Sequence, residues 1–336
     1  MLSKPTGFRY IKSLLILIAL LITLFYISLT NGTFDLTVSD VLHAFLRINP
    51  VPTHDFVLFD LRLPRIVVAS LVGLGLGIAG AVIQGVTKNG LADPGILGIN
   101  AGAGAAIVLF LFFFHEQIGS FSVLMQPLFG LIGGLGAAVI IYLLAWKNGR
   151  IDTQRLILTG IAISSGFGAL AMYLSLKMKS TDFEMATLWS MGSVYNANWQ
   201  SIFAMLPWFI LLIPIYRKSY LLDLFQLEES SLKSLGVSLE KEKAILLLSS
   251  IGLVSACVSV SGGIGFIGLM APHIAKQLVG LRHRYIIPIC GLIGMTLVVG
   301  SDFIAKNLFP AEISVGIVIS IIGVPYFLYL LLTARS

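Results

Sequence analysis

The sequence has few charged side chains, and this scarcity excludes an ordinary water-soluble protein. Only 11% of the 336 residues are Asp, Glu, Lys or Arg, whereas 57% are hydrophobic. Soluble domains carry roughly 25% charged residues. Most of the charge-free windows are long enough to cross a lipid bilayer, which takes about 20 apolar residues in a helix. The composition therefore predicts an all-α polytopic membrane protein.

The motifs of common catalytic and nucleotide-binding sites are absent as well. The chain contains no GxxxxGK[ST] phosphate loop and no HExxH or GxSxG motif. Its five histidines are scattered, and its two cysteines fall inside predicted helices, so no metal site is expected. No predicted span carries a charge in mid-membrane, which a proton- or sodium-coupled transporter usually needs. We therefore expect no enzymatic activity, no cofactor, and transport energy that comes from another protein.

Nine charge-free windows predict ten spans, because one window is too long for a single helix. Residues 244–275 are interrupted by Ser261-Gly262-Gly263, which predicts two helices that meet at a tight turn. The predicted spans cover approximately 13–31, 64–87, 94–114, 122–146, 154–176, 199–217, 243–261, 264–281, 285–305 and 314–333. They form one permease domain over residues 1–336, and an even number of spans places both termini on one side.

The distribution of Lys and Arg predicts which side that is. With a cytoplasmic N-terminus, sixteen of the 22 basic residues lie inside, as the positive-inside rule requires. The net charge of +6 is then an orientation signal and does not indicate nucleic-acid binding. The apolar run at 14–29 has no Ala-x-Ala cleavage site after it, which favours an uncleaved first span over a signal peptide.

The chain also divides into two similar halves. Each half has a long helix that starts at Pro64 or Lys243, a glycine-rich break, and a short helix that starts near a proline, Pro94 or Pro272. The span count makes the two long helices enter from opposite faces of the membrane. This arrangement is typical of an inverted repeat in a transporter.

Three segments resemble the permeases of ABC importers for iron–siderophore complexes, haem and vitamin B12. They are LRLPRIVVASLVGLGLGIAGAVIQGVTKNGLADPGILGINAGAG (61–104), GGIGFIGLMAPHI (262–274) and SDFIAKNLFPAEISVGIVISIIGVPYF (301–327). The likeness runs from about residue 61 to the end of the chain. It implies ten spans per subunit, a second permease subunit, identical or related, around a central path, two cytoplasmic ATPase subunits and an extracytoplasmic binding protein.

The resemblance therefore implies a permease subunit that moves a ferric siderophore across the bacterial cytoplasmic membrane, driven by a separate ATPase. The preference for a siderophore rests on how common such systems are in the family. A permease for vitamin B12, haem or another metal chelate is the first alternative. A secondary transporter and an intramembrane enzyme are the alternatives from other classes.

The stretch KNGLADPG, residues 88–95, interrupts the apolar pattern and is called the gate stretch below. Asp93 is a good N-cap and Pro94 a good first helical residue, so the break predicts a helix that returns into the membrane. In the family, the residues matching Asn89 and Leu91 help close the path on the cytoplasmic side. Thr153 and Gln154 match in the next inner loop. The alternative is a well-capped turn without a gating role.

Residues 220–237 form the only sizeable inner segment and are called the coupling segment below. Within it, EESSLKSLG resembles the cytoplasmic helix that couples the permease to its ATPase. The candidate coupling residues are Glu228, Glu229, Leu232, Leu235 and Gly236. The alternative is a solvated amphipathic surface helix.

Arg62 and Arg65 lie on the outer side, against the positive-inside bias. They flank Pro64 at a helix N-terminus, where the helix dipole disfavours cations, and no compensating charge is visible nearby in the sequence. Family permeases use arginines here to receive carboxylates of the binding protein. Lys306 matches a third such position, with Lys in place of Arg. The alternative is that the arginines anchor the helix by reaching the headgroups.

Overall fold

The computed structural model describes residues 6–32, 34–48, 51–118, 122–147, 150–227, 232 and 238–333. These residues are mostly helical. The described strands form one short antiparallel pair, in which Trp146 lies opposite Ile151 and Lys147 opposite Arg150. The apolar windows of the sequence therefore form helices, as their length and composition predict.

The first part of the chain ends before residue 191. Its elements are α1 (Thr6–Thr30), α2 (Val38–Leu46), α3 (Pro52–Asp55), a π-helical segment (Phe56–Arg62), α4 (Leu63–Thr87), a 3-10 turn (Pro94–Leu97), α5 (Ile99–Ile118), α6 (Ser122–Ala145), β1 (Trp146–Lys147), β2 (Arg150–Ile151), α7 (Thr153–Ser175) and α8 (Ser180–Ser190). The segments from α3 to α4 form one continuous helix of 36 residues, Pro52–Thr87.

The second part of the chain is also helical. Its described elements are α9 (Trp199–Met205), a 3-10 segment (Leu206–Leu211), α10 (Leu212–Arg217), α11 (Ser219–Leu224), α12 (Leu239–Ser261), α13 (Ile267–Val279), α14 (His283–Asn307) and α15 (Val315–Thr333). Helices α9 and α10 and the 3-10 segment between them form one apolar helix of 19 residues, Trp199–Arg217.

Eight of the described helices are long and apolar enough to cross a membrane. Two of the ten predicted spans fall short of that measure. The apolar part of α5, Ile99–Phe114, is shorter than the others. Helix α13 has 13 residues, or about 20 Å at 1.5 Å per residue, against a bilayer core of about 30 Å. The predicted span 264–281 is longer than α13 because residues 262–266 form a loop, called the glycine loop below.

Helix α4 lies at the centre of the described structure, since 19 of its 25 residues are buried. Its glycines allow backbones to touch. A Cβ added at Gly73 would lie 2.3 Å from Gly294 O of α14, and one added at Gly80 would lie 2.0 Å from Gly268 O of α13. Small residues at such crossings are how membrane helices gain packing energy without a hydrophobic driving force.

Both helix restarts differ from the prediction. Asp93 is an N-cap, as expected, but Pro94 begins a 3-10 turn that ends at Gly98 in the left-handed region (φ 69°), so α5 starts only at Ile99. Helix α13 starts at Ile267, which places Pro272 inside the helix instead of near its start. The gate stretch touches the start of α13, directly after the glycine loop, because a Cβ added at Gly268 would lie 2.3 Å from the Pro94 ring.

Candidate functional site

The gate stretch begins with a turn that is held by its own side chains. Lys88 ends α4 in the left-handed region (φ 54°). The Asn89 N–H donates to Gln84 O at 3.2 Å, and the Asn89 side-chain oxygen accepts the Leu91 N–H at 3.0 Å. Asn89 is half-buried and Leu91 is 36% exposed. The turn therefore presents an apolar side chain from a fixed backbone.

Asp93 joins this turn to the next helix. Its Oδ1 accepts the Gly95 N–H at 2.8 Å, which caps the 3-10 turn. The carboxylate keeps some accessible surface, yet protein atoms surround it closely, since a Cβ added at Gly268 would lie 3.2 Å from Asp93 Oδ2. Burial raises the pKa of Asp93 to about 6, and the hydrogen bond from Gly95 offsets part of that rise.

Helix α7 packs beside the gate stretch. A Cβ added at Gly98 would lie 3.1 Å from Ser164 Oγ of α7. The start of α7 is capped by Asp152, whose Oδ1 accepts the Gln154 N–H at 3.0 Å. Gln154 is exposed, and the side chain of Thr153 lies outside the described residues. The structure brings Asn89 and Leu91 together in a single turn, whereas the α7 contact with Gly98 lies ten residues along α7 from Gln154.

The coupling segment is described only in part. Glu228, Glu229, Leu235 and Gly236 lie outside the described residues. Leu232 is fully buried within the main apolar core, together with Phe225 and Leu239. Leu232 is therefore packed into the core of its own chain, and its role in coupling stays a prediction.

Arg65 is compensated by two carboxylates that lie far away in the sequence. Its Nε and Nη2 donate to Asp302 at 2.8–3.0 Å, and Nη2 also donates to Glu312. The guanidinium lies 5.8 Å from the centre of the Tyr195 ring, and the Arg65 side chain is only 11% exposed. The premise that no charge compensates Arg65 was therefore wrong, and the docking role of Arg65 stays a prediction.

Arg62 is held by backbone instead. Its guanidinium donates to Leu29 O and Phe34 O, and the residue is 4% exposed. A Cβ added at Gly32 would lie 2.8 Å from Arg62 Nη2 and 2.9 Å from Lys306 Nζ, so the two cations are neighbours. We call Arg62, Arg65, Asp302, Lys306 and Glu312 the outer ion cluster, after the side of the membrane that the sequence predicts for them. Asp302 and Glu312 were missed, although they are the acidic residues that flank Lys306 in the chain.

An open cavity of about 500 Å³ lies between the glycine loop, the end of α8 and the start of α15. Its lining contains no titratable side chain and consists of Ser190, Met191, Gly263, Gly316, Ile317, Ser320 and Ile321. Small residues leave the backbone accessible here. Among the described residues, no group of three or more His, Cys, Asp or Glu side chains could hold a metal ion. The side chains that line the cavity are apolar except for the hydroxyls of Ser190 and Ser320.

The family of the chain follows from its sequence as a whole. A model of the FecCD transport family matches residues 20–333, a range that includes every candidate residue named above. The chain belongs to the FecCD transport family. The likeness of residues 61–104, 262–274 and 301–327 to importer permeases is therefore confirmed, and this FecCD chain is a transport permease.

Relatives and a solved structure agree with this placement. This FecCD chain is 54% identical to the iron-uptake system permease protein FeuC of Bacillus subtilis (strain 168), over 97% of this chain and 98% of the relative. It is 44% identical to the iron(3+)-hydroxamate import system permease protein FhuG of the same strain, over 94% and 95%. A structure described as an inward-facing metal-chelate type ABC transporter shares 31% identity and a TM-score of 0.82, covering 96% of this chain and 99% of that chain.

Proposed function

We propose that this chain is the permease subunit of an ABC importer that moves a ferric siderophore across the bacterial cytoplasmic membrane. The observation that carries the proposal is the 54% identity with an iron-uptake permease over almost the full length of both chains. A separate pair of ATPase subunits supplies the energy, because the sequence has no phosphate loop of its own. An extracytoplasmic binding protein delivers the substrate, and a second permease chain completes the central path.

In this proposal the chain has ten membrane helices in an inverted repeat, with both termini in the cytoplasm. Eight apolar helices of sufficient length and the 16-to-6 distribution of basic residues support it. Helices α5 and α13 supply the other two, each after a break in the membrane. Irregular backbone at that depth is tolerated where protein or a water-filled cavity surrounds it.

Single cysteines test this topology. In a background without Cys257 and Cys290, a cysteine at Asn31 should react with an impermeant reagent from outside, and one at Ser230 only from inside. Reaction of both from outside would exclude the arrangement.

Closure of the path on the cytoplasmic side is assigned to Asn89 and Leu91 of the gate stretch, with Thr153 and Gln154 of the adjacent α7. The hydrogen-bonded turn that presents Leu91 supports the assignment of Asn89 and Leu91, and Thr153 and Gln154 are assigned from the family resemblance alone. Coupling to the ATPase is assigned to Glu228, Glu229, Leu235 and Gly236. Leu232 holds that segment in place from the core.

Docking of the binding protein is assigned to the outer ion cluster, with Lys306 as its best test. Charge reversal at Arg62 would bury a carboxylate against two backbone carbonyls, and reversal at Arg65 would oppose Asp302, so both changes threaten the fold itself. Lys306 is half-buried, and its neighbours in the cluster include both the cations Arg62 and Arg65 and the carboxylates Asp302 and Glu312. A charge reversal there would set a third carboxylate beside two others, so neutral Lys306→Gln is the cleaner test. It should weaken binding-protein affinity without loss of folded protein, and unchanged affinity at low salt would exclude Lys306 as a docking residue.

Uptake into vesicles tests the function. The permease is reconstituted with its ATPase facing the vesicle lumen and with the binding protein outside. Such vesicles should accumulate a labelled ferric siderophore only when the lumen contains ATP. Dissipating proton and sodium gradients should leave the rate unchanged. Uptake that needs a gradient and no ATP would identify a secondary transporter. ATP-driven uptake of vitamin B12 or haem in place of a siderophore would correct the substrate alone.

A further inference from the structure

Lys88 is the residue at which α4 ends and the gate stretch begins. It is exposed, and its backbone has a left-handed conformation (φ 54°) that is uncommon for a residue with a Cβ. Its ammonium group donates a hydrogen bond of 3.0 Å to Leu227 O. Leu227 is 139 residues away in the sequence and lies in the described beginning of the coupling segment. The first residue of the proposed gate is therefore tied directly to that segment.

The beginning of the coupling segment has a second attachment, to α14. Asp223 of α11 accepts the backbone N–H of His283 at 3.0 Å, and the same oxygen lies 2.6 Å from His283 Nδ1. His283 is 5% exposed and is the first residue of α14. The His283 side chain is buried, while that of Asp223 is 37% exposed. A carboxylate is favoured at a helix N-terminus, so this contact holds α11 against α14.

The same elements also meet the last buried turn of α4. A Cβ added at Gly85 would lie 3.0 Å from Leu222 Cδ2 and 3.2 Å from His283 Nε2. Leu222 of α11 is fully buried. The coupling segment therefore contacts α4 through packing at Gly85 and through a charged hydrogen bond one turn later at Lys88. A displacement of α11 along the membrane plane cannot leave both contacts unchanged.

We propose that Lys88 is a positioning residue that transmits movement of the coupling segment to the gate stretch, with the Asp223–His283 contact as the fixed point. The turn after Lys88 is closed by the bonds of Asn89 to Gln84 and of Leu91 to Asn89, so it moves as a unit when Lys88 moves. Energetic coupling between sites requires such a contiguous set of contacts or an equivalent two-state element. This inference rests on the proposed function.

The competing explanation is that Lys88 is only a basic anchor at the cytoplasmic headgroups. Three variants of the complete importer separate the two. Lys88→Met removes the donor and keeps an unbranched side chain, Lys88→Arg keeps a donor, and Lys241→Met removes the same charge from an exposed lysine of α12. Substrate transported per ATP hydrolysed is measured in vesicles, and amide hydrogen exchange of residues 89–92 is measured on the purified complex.

We expect Lys88→Met to lower the ratio of transport to hydrolysis about threefold or more and to speed exchange at residues 89–92. Lys88→Arg should restore both, and Lys241→Met should change neither. Equal losses in Lys88→Met and Lys241→Met, or a wild-type ratio in Lys88→Met, would overturn the inference. If the wild-type importer shows no ATP-driven uptake, the proposed function fails. In that case hydrogen exchange alone tests the inferred connection between Lys88 and residues 89–92. Unchanged exchange in Lys88→Met would refute that connection.

Discussion

The two breaks that interrupt the membrane helices solve the same structural problem by different means. In the gate stretch, side chains close the turn, with Asn89 and Asp93 as acceptors and with Lys88 and Leu91 exposed. In the glycine loop, the backbone closes on itself between Gly262 O and the Ile264 N–H, and Ile264 is 4% exposed. Polar side chains close the turn in the gate stretch, whereas the glycine loop is closed by its backbone and leaves room beside it for the cavity.

The largest effect is expected from a substitution that disrupts the contact between the gate stretch and the start of α13. Gly268→Ala would place a methyl group 2.3 Å from the rigid Pro94 ring. Overpacking of this kind costs about 1–3 kcal/mol, so the unfolding temperature of the purified permease in detergent should fall clearly. Gly265→Ala is the matched control, because no described atom lies within 4 Å of a Cβ added there. If Gly268→Ala lowers the unfolding temperature no more than Gly265→Ala does, the close contact between Gly268 and Pro94 does not contribute to stability.

An intermediate effect is expected at Asp93, the cap of the gate stretch. Asp93→Ala removes the acceptor for the Gly95 N–H and should cost about 1 kcal/mol of stability, while Asp93→Asn keeps an acceptor. Thermal unfolding of both variants beside the wild type measures this difference. Equal stability of the Ala and Asn variants would mean that packing, and not the cap, holds the turn.

Asp93 also predicts a pH dependence with a definite sign. Its folded pKa of about 6 lies above the ordinary value, so the folded chain holds this proton more tightly than the unfolded chain. The stability that this preference supplies is present at acidic pH and is lost as the pH rises from about 4 to about 6. Asp93→Asn removes the dependence, so its stability relative to wild type should improve across that window. A parallel pH profile for the two proteins would contradict the assigned burial.

The smallest effect on stability, and the most specific effect on transport, is expected at Leu91. Because Leu91 is 36% exposed, Leu91→Ser should hardly change the unfolding temperature. If Leu91 seals the path with its counterpart in the second permease, the variant should admit water and small solutes. Dye efflux from vesicles without ATP measures this leak. A tight variant with normal uptake would leave the gate stretch as a turn only.

The sequence predicts the positions of the breaks better than their form. Asp93-Pro94 and Ser261-Gly262-Gly263 indicate where helices stop, because capping and backbone freedom are local properties. The length of α13 was not predictable from the same signals. Composition alone does not distinguish a buried loop of small apolar residues, such as residues 262–266, from the first turn of a helix.

The candidate site shows the same division between local and distant causes. Asp93 was recognised as a cap because its partner, Gly95, is two residues away. Arg65 was misread as uncompensated because Asp302 and Glu312 are 237 and 247 residues away. The inward orientation of Leu232 also depends on distant packing. The charges were visible in the sequence, but the pairing depends on which helices become neighbours in the bilayer.

The backbone crossing of Gly73 with Gly294 sets a constraint on how the protein is made. The two glycines are 221 residues apart, so at 5–20 residues per second the ribosome completes α14 on the order of 10–40 s after α4. During that interval α4 has lipid around it instead of its partners. Helix α4 is enclosed by protein in the finished fold, but it must first be stable as a single helix in the membrane. This requirement accounts for the charge-free sequence of α4 from Ile66 to Thr87, including the faces that lipid no longer touches in the finished fold.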